Sequence, residues 1–378
     1  MKLAKIIIGI LFLAVLVSNV LSISRWNESR GVYDDVCYLR QAHLFQRFGL
    51  AGLETDISKD DDRYLAGKLR DIKFAAWNDP KSAPCHAPMA KTKKFVLQYP
   101  PGTGAALALF PEGNQVIPLY IVANIAAFSF ALVALFRASS PSMLTLAAVS
   151  GLAAIYLMIN PTKASYSMAP TMVLCAAAGL FSARLFTSTA SRERLWLAAI
   201  VGFLLGLSAV FRLPNLFLAS GYCVFFLGAF LLARSKQTFL EGLAFGLTFL
   251  VGTSPMLAAN WINAGSPLST TYSAIDALPP EIDLTVLRSY LVDLQFYLLI
   301  LAIAWTALIW RRLDTRQAAL VVAVNLVVNI IFFMTHPLFT PYYTVPASML
   351  SLWTLVFATL TPRAAVADIR AVAQPVGA

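Results

Sequence analysis

The chain has 378 residues, 58% of them hydrophobic and 13% charged, with a formal net charge of +10. A soluble protein of this size carries about a quarter charged residues, so an ordinary soluble enzyme is excluded. Nucleic-acid binding is excluded as an account of the charge, because the basic residues are scattered among the connections between apolar blocks.

Those blocks have the length of membrane-spanning helices. They define an all-α polytopic membrane protein in which residues 1–378 form one integral membrane domain of about ten transmembrane helices. The first covers about residues 4–23. Its start, Met1-Lys2-Leu3-Ala4-Lys5, resembles a signal peptide, but Ser18-Asn19-Val20-Leu21-Ser22 offers no small-x-small cleavage site, so the helix is expected to be retained.

Residues 24–115 contain no run long enough to span and form a long first loop. Asp34 is expected to cap a helix over about 35–48, with Val36, Leu39, Ala42 and Phe45 or Leu44 on its apolar face and Gly49 as its stop. Such a helix lies along the membrane surface. Asp60-Asp61-Asp62 and then Gln98-Tyr99-Pro100-Pro101-Gly102 follow, and the apolar piece Ala105 to Phe110 is too short to cross, so it is interfacial or re-entrant. Cys37 and Cys85 both fall in this loop; their spacing leaves a disulfide open. Cys175 and Cys223 read as packing residues. Cys37, His43, Cys85 and His86 lack zinc-site spacing, so no metal centre is expected from them.

The remaining spans are expected at about 117–136, 143–159, 168–186, 196–211, 215–233, 239–259, 290–310, 317–334 and 343–361. With the N-terminus in the cytoplasm, the inner connections hold Arg137; Arg184, Arg192 and Arg194; Arg234 and Lys236; Arg311, Arg312 and Arg316; and Arg363 and Arg370. The short outer connections hold Lys163, Arg212 and Arg288. That asymmetry puts both termini in the cytoplasm and the long loop outside. The chemistry-bearing residues then gather on the outer side. Two adjacent carboxylates, Asp34 and Asp35, stand at the membrane boundary, where desolvation makes acidic groups costly. Arg212, at the outer end of the fifth span, calls for an anionic partner. No Gly-rich phosphate loop of the nucleotide-binding kind is present.

Several features in order resemble the GT-C superfamily of membrane glycosyltransferases, nearest to its protein O-mannosyltransferase-like and lipid A aminoarabinose transferase-like members. One helix precedes a long loop opening with the acidic pair Asp34-Asp35 and closing with Tyr99-Pro100-Pro101. A Gly-rich span ends in Arg212-Leu213-Pro214-Asn215. A turn from Asn260 or Asn263 to Gly265-Ser266-Pro267 follows, then a late cluster from His336 to Pro346. The family's pair is often Asp-Glu, and the soluble C-terminal domain of some relatives has no counterpart here. The resemblance covers most of the chain and implies transfer of a sugar from a polyprenyl-phosphate carrier to an acceptor hydroxyl at the outer face of a bacterial plasma membrane. The acceptor class would be a glycan, glycolipid or lipid A-type molecule.

On that basis Asp34 is the candidate base, and Asp35 orients the acceptor or binds a metal, with Mg²⁺ or Mn²⁺ as the cofactor left open. Arg212 and Lys163 are candidates for the departing phosphate. Tyr99, Pro100, His336, Tyr342 and Tyr343 are candidate substrate-binding residues. Two other classes fit a polytopic chain. A transporter or flippase of lipid-linked glycans needs polar residues lining a path through the spans. A polysaccharide polymerase or ligase usually carries its large outer loop late in the chain.

Overall fold

The computed structural model describes residues 1–30, 32–272 and 279–361; Arg363 and Arg370 lie outside them. All ten expected apolar segments are helical. The first is α1 (Lys2–Ile23). The long loop supplies α2 (Tyr33–Phe48), α3 (Tyr64–Asp71), the short hairpin β1 (His86–Pro88) and β2 (Phe95–Leu97), and α4 (Gly102–Leu107). The bundle continues with α5 (Val116–Arg137), α6 (Pro141–Leu157), α7 (Met168–Thr187), α8 (Ser191–Phe211), α9 (Ser220–Ala233) and α10 (Lys236–Ala264). It closes with α11 (Leu284–Leu291), α12 (Leu294–Trp310), α13 (Arg316–Met334) and α14 (Val345–Leu360).

Among the described residues, eight helices are long and apolar enough to cross a membrane, or nine if the bent pair α11 and α12 counts as one span. The expected straight span at 290–310 is thus broken, with a bend of 74° between α11 and α12. The carboxylate of Asp293 accepts from the Gln295 amide and starts α12 afresh, which is why the chain turns there. α14 has 16 residues. At 1.5 Å per residue it measures about 24 Å, short of the ~30 Å hydrocarbon core. It is buried on nearly every side, as a helix apolar all round should be. Inside the bundle, polar side chains pair across helices: Asn19 donates to Asn124 at 2.8 Å, and Arg194 grips Glu241 at 2.8 Å.

The loop is a built structure. Arg40, His43 and Arg47 lie on one face of α2 at helical spacing, and the three consecutive aspartates are read off against them. Arg40 pairs with Asp60 at 3.6 Å, His43 with Asp62 at 2.7 Å and Arg47 with Asp61 at 2.7 Å. The other His43 ring nitrogen meets Glu112 at 3.0 Å, and the ring stacks on Tyr64. Beneath, Val36, Leu65, Leu69 and Ala83 form a small apolar core. The loop is fastened to the bundle at the C-terminal end of α10. There Lys91, Thr92 and Lys94 donate to the carbonyls of Gly265, Asn263 and Ile262, while Asn263 bonds Thr55 and Leu53. Basic side chains on final-turn carbonyls also suit the helix dipole. The Asn-to-Pro turn therefore serves as an anchor.

One expectation for α2 is corrected. The helix begins at Tyr33 after Val32, which makes no side-chain cap, so Asp34 is inside the first turn and not its N-cap. Its carboxylate is turned toward Tyr99 instead. Gly49 does end the helix, with φ 56°.

Candidate active site

A cavity of about 330 Å³ lies where the loop meets the helix ends. Asp34 and Tyr38 reach it from α2, Gln98 and Tyr99 from the segment between β2 and α4, and Arg212 from the end of α8. His336, Tyr342 and Tyr343 close it from the connection between α13 and α14. Phe211, Phe332, Phe333 and Leu338 give it an apolar wall. Such a cavity, mostly apolar with a few convergent polar groups, is the usual form of a ligand site.

Asp34 is held from across the loop. The Tyr99 hydroxyl donates to Asp34 Oδ1 at 2.6 Å, and the Tyr99 ring stacks on Tyr38 at 4.8 Å. Burial, then the charge of Asp34, pushes the Tyr99 phenol well above its ordinary value, so it stays a donor. The disulfide Cys37–Cys85 is formed, and Cys85 Sγ lies 4.0 Å from Asp34 Oδ1.

Arg212 follows from its local sequence. Pro214 disfavours continuation of α8, and the Asn215 side chain joins the Arg212 amide in donating to the Ser208 carbonyl, at 2.9 Å and 3.3 Å. The intervening Arg212 leaves in extended conformation, φ −150°, with its side chain in the cavity. It is 8% exposed. Its guanidinium lies 4.9 Å from the Tyr342 ring centroid and 5.7 Å from that of Tyr343, with one nitrogen 3.0 Å from Met168 Sδ. Among the described residues it makes no ion pair. A buried guanidinium so placed favours an anionic ligand.

Gly102 brings the two halves together. A Cβ there would stand 2.7 Å from the Val210 carbonyl oxygen, two residues before Arg212. Only glycine lets the Tyr99-Pro100-Pro101 segment seat so closely on the end of α8.

The other sequence candidates divide. His336 stacks on Phe332 at the cavity wall, and burial lowers its basicity. Pro100 faces a narrow cleft beside Asn260 and Asn263 and does not line the cavity. Lys163 is exposed and also lies outside the lining. Asp35 is fully buried and faces away. It accepts from the Arg30 amide at 3.0 Å and from the Arg30 guanidinium at 2.5 Å, and that guanidinium lies over Tyr166. Burial opposes the charge of Arg30, yet the Asp35 bond and charge hold its basicity above the ordinary value. With both oxygens taken by one arginine, Asp35 does not fit a Mg²⁺ or Mn²⁺ ligand. No group of three or more His, Cys, Asp and Glu side chains converges on a metal position among the described residues.

The sequence reading missed Tyr38, Gln98, Ser165, Thr270 and Tyr272, all in the lining. Tyr38 follows Asp34 by one helical turn and Gln98 precedes Tyr99, so both were within reach of spacing arguments. Ser165, Thr270 and Tyr272 come from connections with no local signal. No protein-family model, no curated protein and no solved structure matches this chain.

Proposed function

We propose that the protein is a membrane glycosyltransferase that moves a sugar from a polyprenyl-phosphate carrier to an acceptor hydroxyl. The supporting observation is the pairing in one cavity of a held carboxylate, Asp34, with a buried guanidinium, Arg212, that makes no ion pair among the described residues. Asp34 takes the acceptor proton as the acceptor oxygen attacks the anomeric carbon. The bond from that carbon to the phosphate oxygen breaks, and the phosphate leaves with the electron pair, its charge met by Arg212. Phe211, Phe332, Phe333 and Leu338 suit the first units of the lipid chain, while Tyr38, Tyr99, Tyr272 and Gln98 suit the sugar. His336, Tyr342 and Tyr343 border both.

In this reading α14 and the bent pair complete ten crossings. Both termini are cytoplasmic, and the cavity opens on the outer face of a bacterial plasma membrane. A reporter fused at Ser58 must then read as outside and one at Arg312 as inside; the reverse would remove the site from the proposed face. The activity is tested by incubating purified protein with polyprenyl-phosphate sugars, where donor must be consumed and free polyprenyl phosphate released.

A further inference from the structure

Asp34 and Tyr99 lie 65 positions apart, and one disulfide and one backbone hydrogen bond connect the segments that carry them. Cys37 is one helical turn after Asp34 in α2. It is bonded to Cys85, immediately before β1. The Cys85 carbonyl accepts from the Gln98 amide at 2.9 Å, and Gln98 is the neighbour of Tyr99. The Tyr99 hydroxyl then returns to Asp34 at 2.6 Å. These five residues close a ring around the carboxylate. Cys85 itself has φ 57°, in the left-handed region that side-chain-bearing residues rarely hold without outside constraint. The disulfide and the Gln98 bond supply that constraint.

The rest of α2 does not depend on this ring. Arg40, His43 and Arg47 tie its body to Asp60, Asp62 and Asp61, and Arg30 holds Asp35. Opening the disulfide therefore frees the Cys85–Gln98 corner and the Tyr99 hydroxyl while the helix stays docked.

We propose that Cys37, Cys85 and Gln98 are positioning residues for the Asp34–Tyr99 pair, so that turnover depends on the oxidised state of the Cys37–Cys85 bond. This rests on Asp34 being the base of the transfer proposed above. An oxidising compartment outside the membrane would keep the bond formed, and a thiol reductant would break it, two thiols forming as the reductant is oxidised.

The test compares the full chain oxidised, reduced with a phosphine, and as Cys37→Ala/Cys85→Ala. Kinetics with a polyprenyl-phosphate sugar are read beside peptide-level hydrogen exchange. The expected result is a fall of at least tenfold in kcat with donor KM within twofold. Exchange should rise in peptides covering 33–38 and 97–101, while 40–48 stays protected. In a Tyr99→Phe background, loss of the disulfide should cost less than twofold further, because the two changes remove one arrangement. Unchanged kcat in an active protein, or unchanged exchange at 97–101, would overturn the proposal. So would exchange that rises equally across 40–48, since the bond would then merely hold the loop together. If no donor is turned over by any form, the glycosyltransferase reading fails by itself, and the exchange data still decide whether the disulfide positions this corner.

Discussion

Asp34 and Asp35 are neighbours in the chain and point about 100° apart around α2, so one carboxylate enters the cavity and the other is buried against Arg30. The pair reads in the sequence as one acidic unit, yet its members do separate work. Asp34 is bonded by a tyrosine from 65 residues away, and Asp35 ties the start of the loop to the helix that carries Asp34.

Asp35→Asn is expected to act on the fold first. It leaves the Arg30 guanidinium, with side-chain exposure 23%, beside a neutral amide. A half-buried pair broken on one side costs roughly 2–4 kcal/mol. The thermal unfolding midpoint should fall clearly in Asp35→Asn and hardly at all in Asp34→Asn. Equal midpoints in the two variants would show that Asp35 carries no such load.

Arg212 should separate charge from shape. Arg212→Gln removes the positive charge facing the departing phosphate and should lower kcat by about 100-fold or more. Arg212→Lys keeps the charge but loses the planar fork and the stacking on Tyr342 and Tyr343, and should fall between. Both should also weaken inhibition by free polyprenyl phosphate, measured as an inhibition constant. Wild-type kinetics in Arg212→Gln would remove the residue from the phosphate site.

His86 gives the loop a pH dependence of known sign. Burial, then the nearby Arg40 guanidinium, pulls its pKa down from the ordinary histidine value of 6.5 to about 3. The ring is neutral, with Nδ1 toward the Pro84 carbonyl at 2.7 Å and Nε2 facing Arg40 at 3.1 Å. The unfolded chain binds this proton at higher pH than the folded chain does. Its contribution is therefore complete above about pH 6.5 and is lost as pH falls toward 3, by roughly 1 kcal/mol per pH unit within that window. Unfolding midpoints measured from pH 7 to pH 4 should drop more steeply for the wild type than for His86→Gln. Parallel curves would contradict the assignment.

How far the sequence reached follows from which forces act locally. The apolar segments were visible because bilayer thickness fixes their length, and Arg212-Leu213-Pro214-Asn215 was legible because proline and asparagine act within one helical turn. The break between α11 and α12 was hidden inside an apolar run, where one capping aspartate decided the turn. Arg30 as the partner of Asp35 was open to spacing arguments and was missed. The Tyr99 bond to Asp34, by contrast, depends on the hairpin, the disulfide and Gly102 together, and no local pattern encodes it. Lys163 shared the basic character of Arg212, but the chain leaves it exposed and away from the cavity.

The most direct measurement follows release of free polyprenyl phosphate from a panel of polyprenyl-phosphate sugars by purified protein, with wild type compared against Asp34→Asn. The account predicts release from one donor class by the wild type. It predicts a loss of at least about 1000-fold in Asp34→Asn with an unchanged unfolding midpoint. Normal release by Asp34→Asn would contradict the base assignment. Movement of lipid-linked glycans across a liposome bilayer, with no donor consumed, would contradict the transferase reading itself.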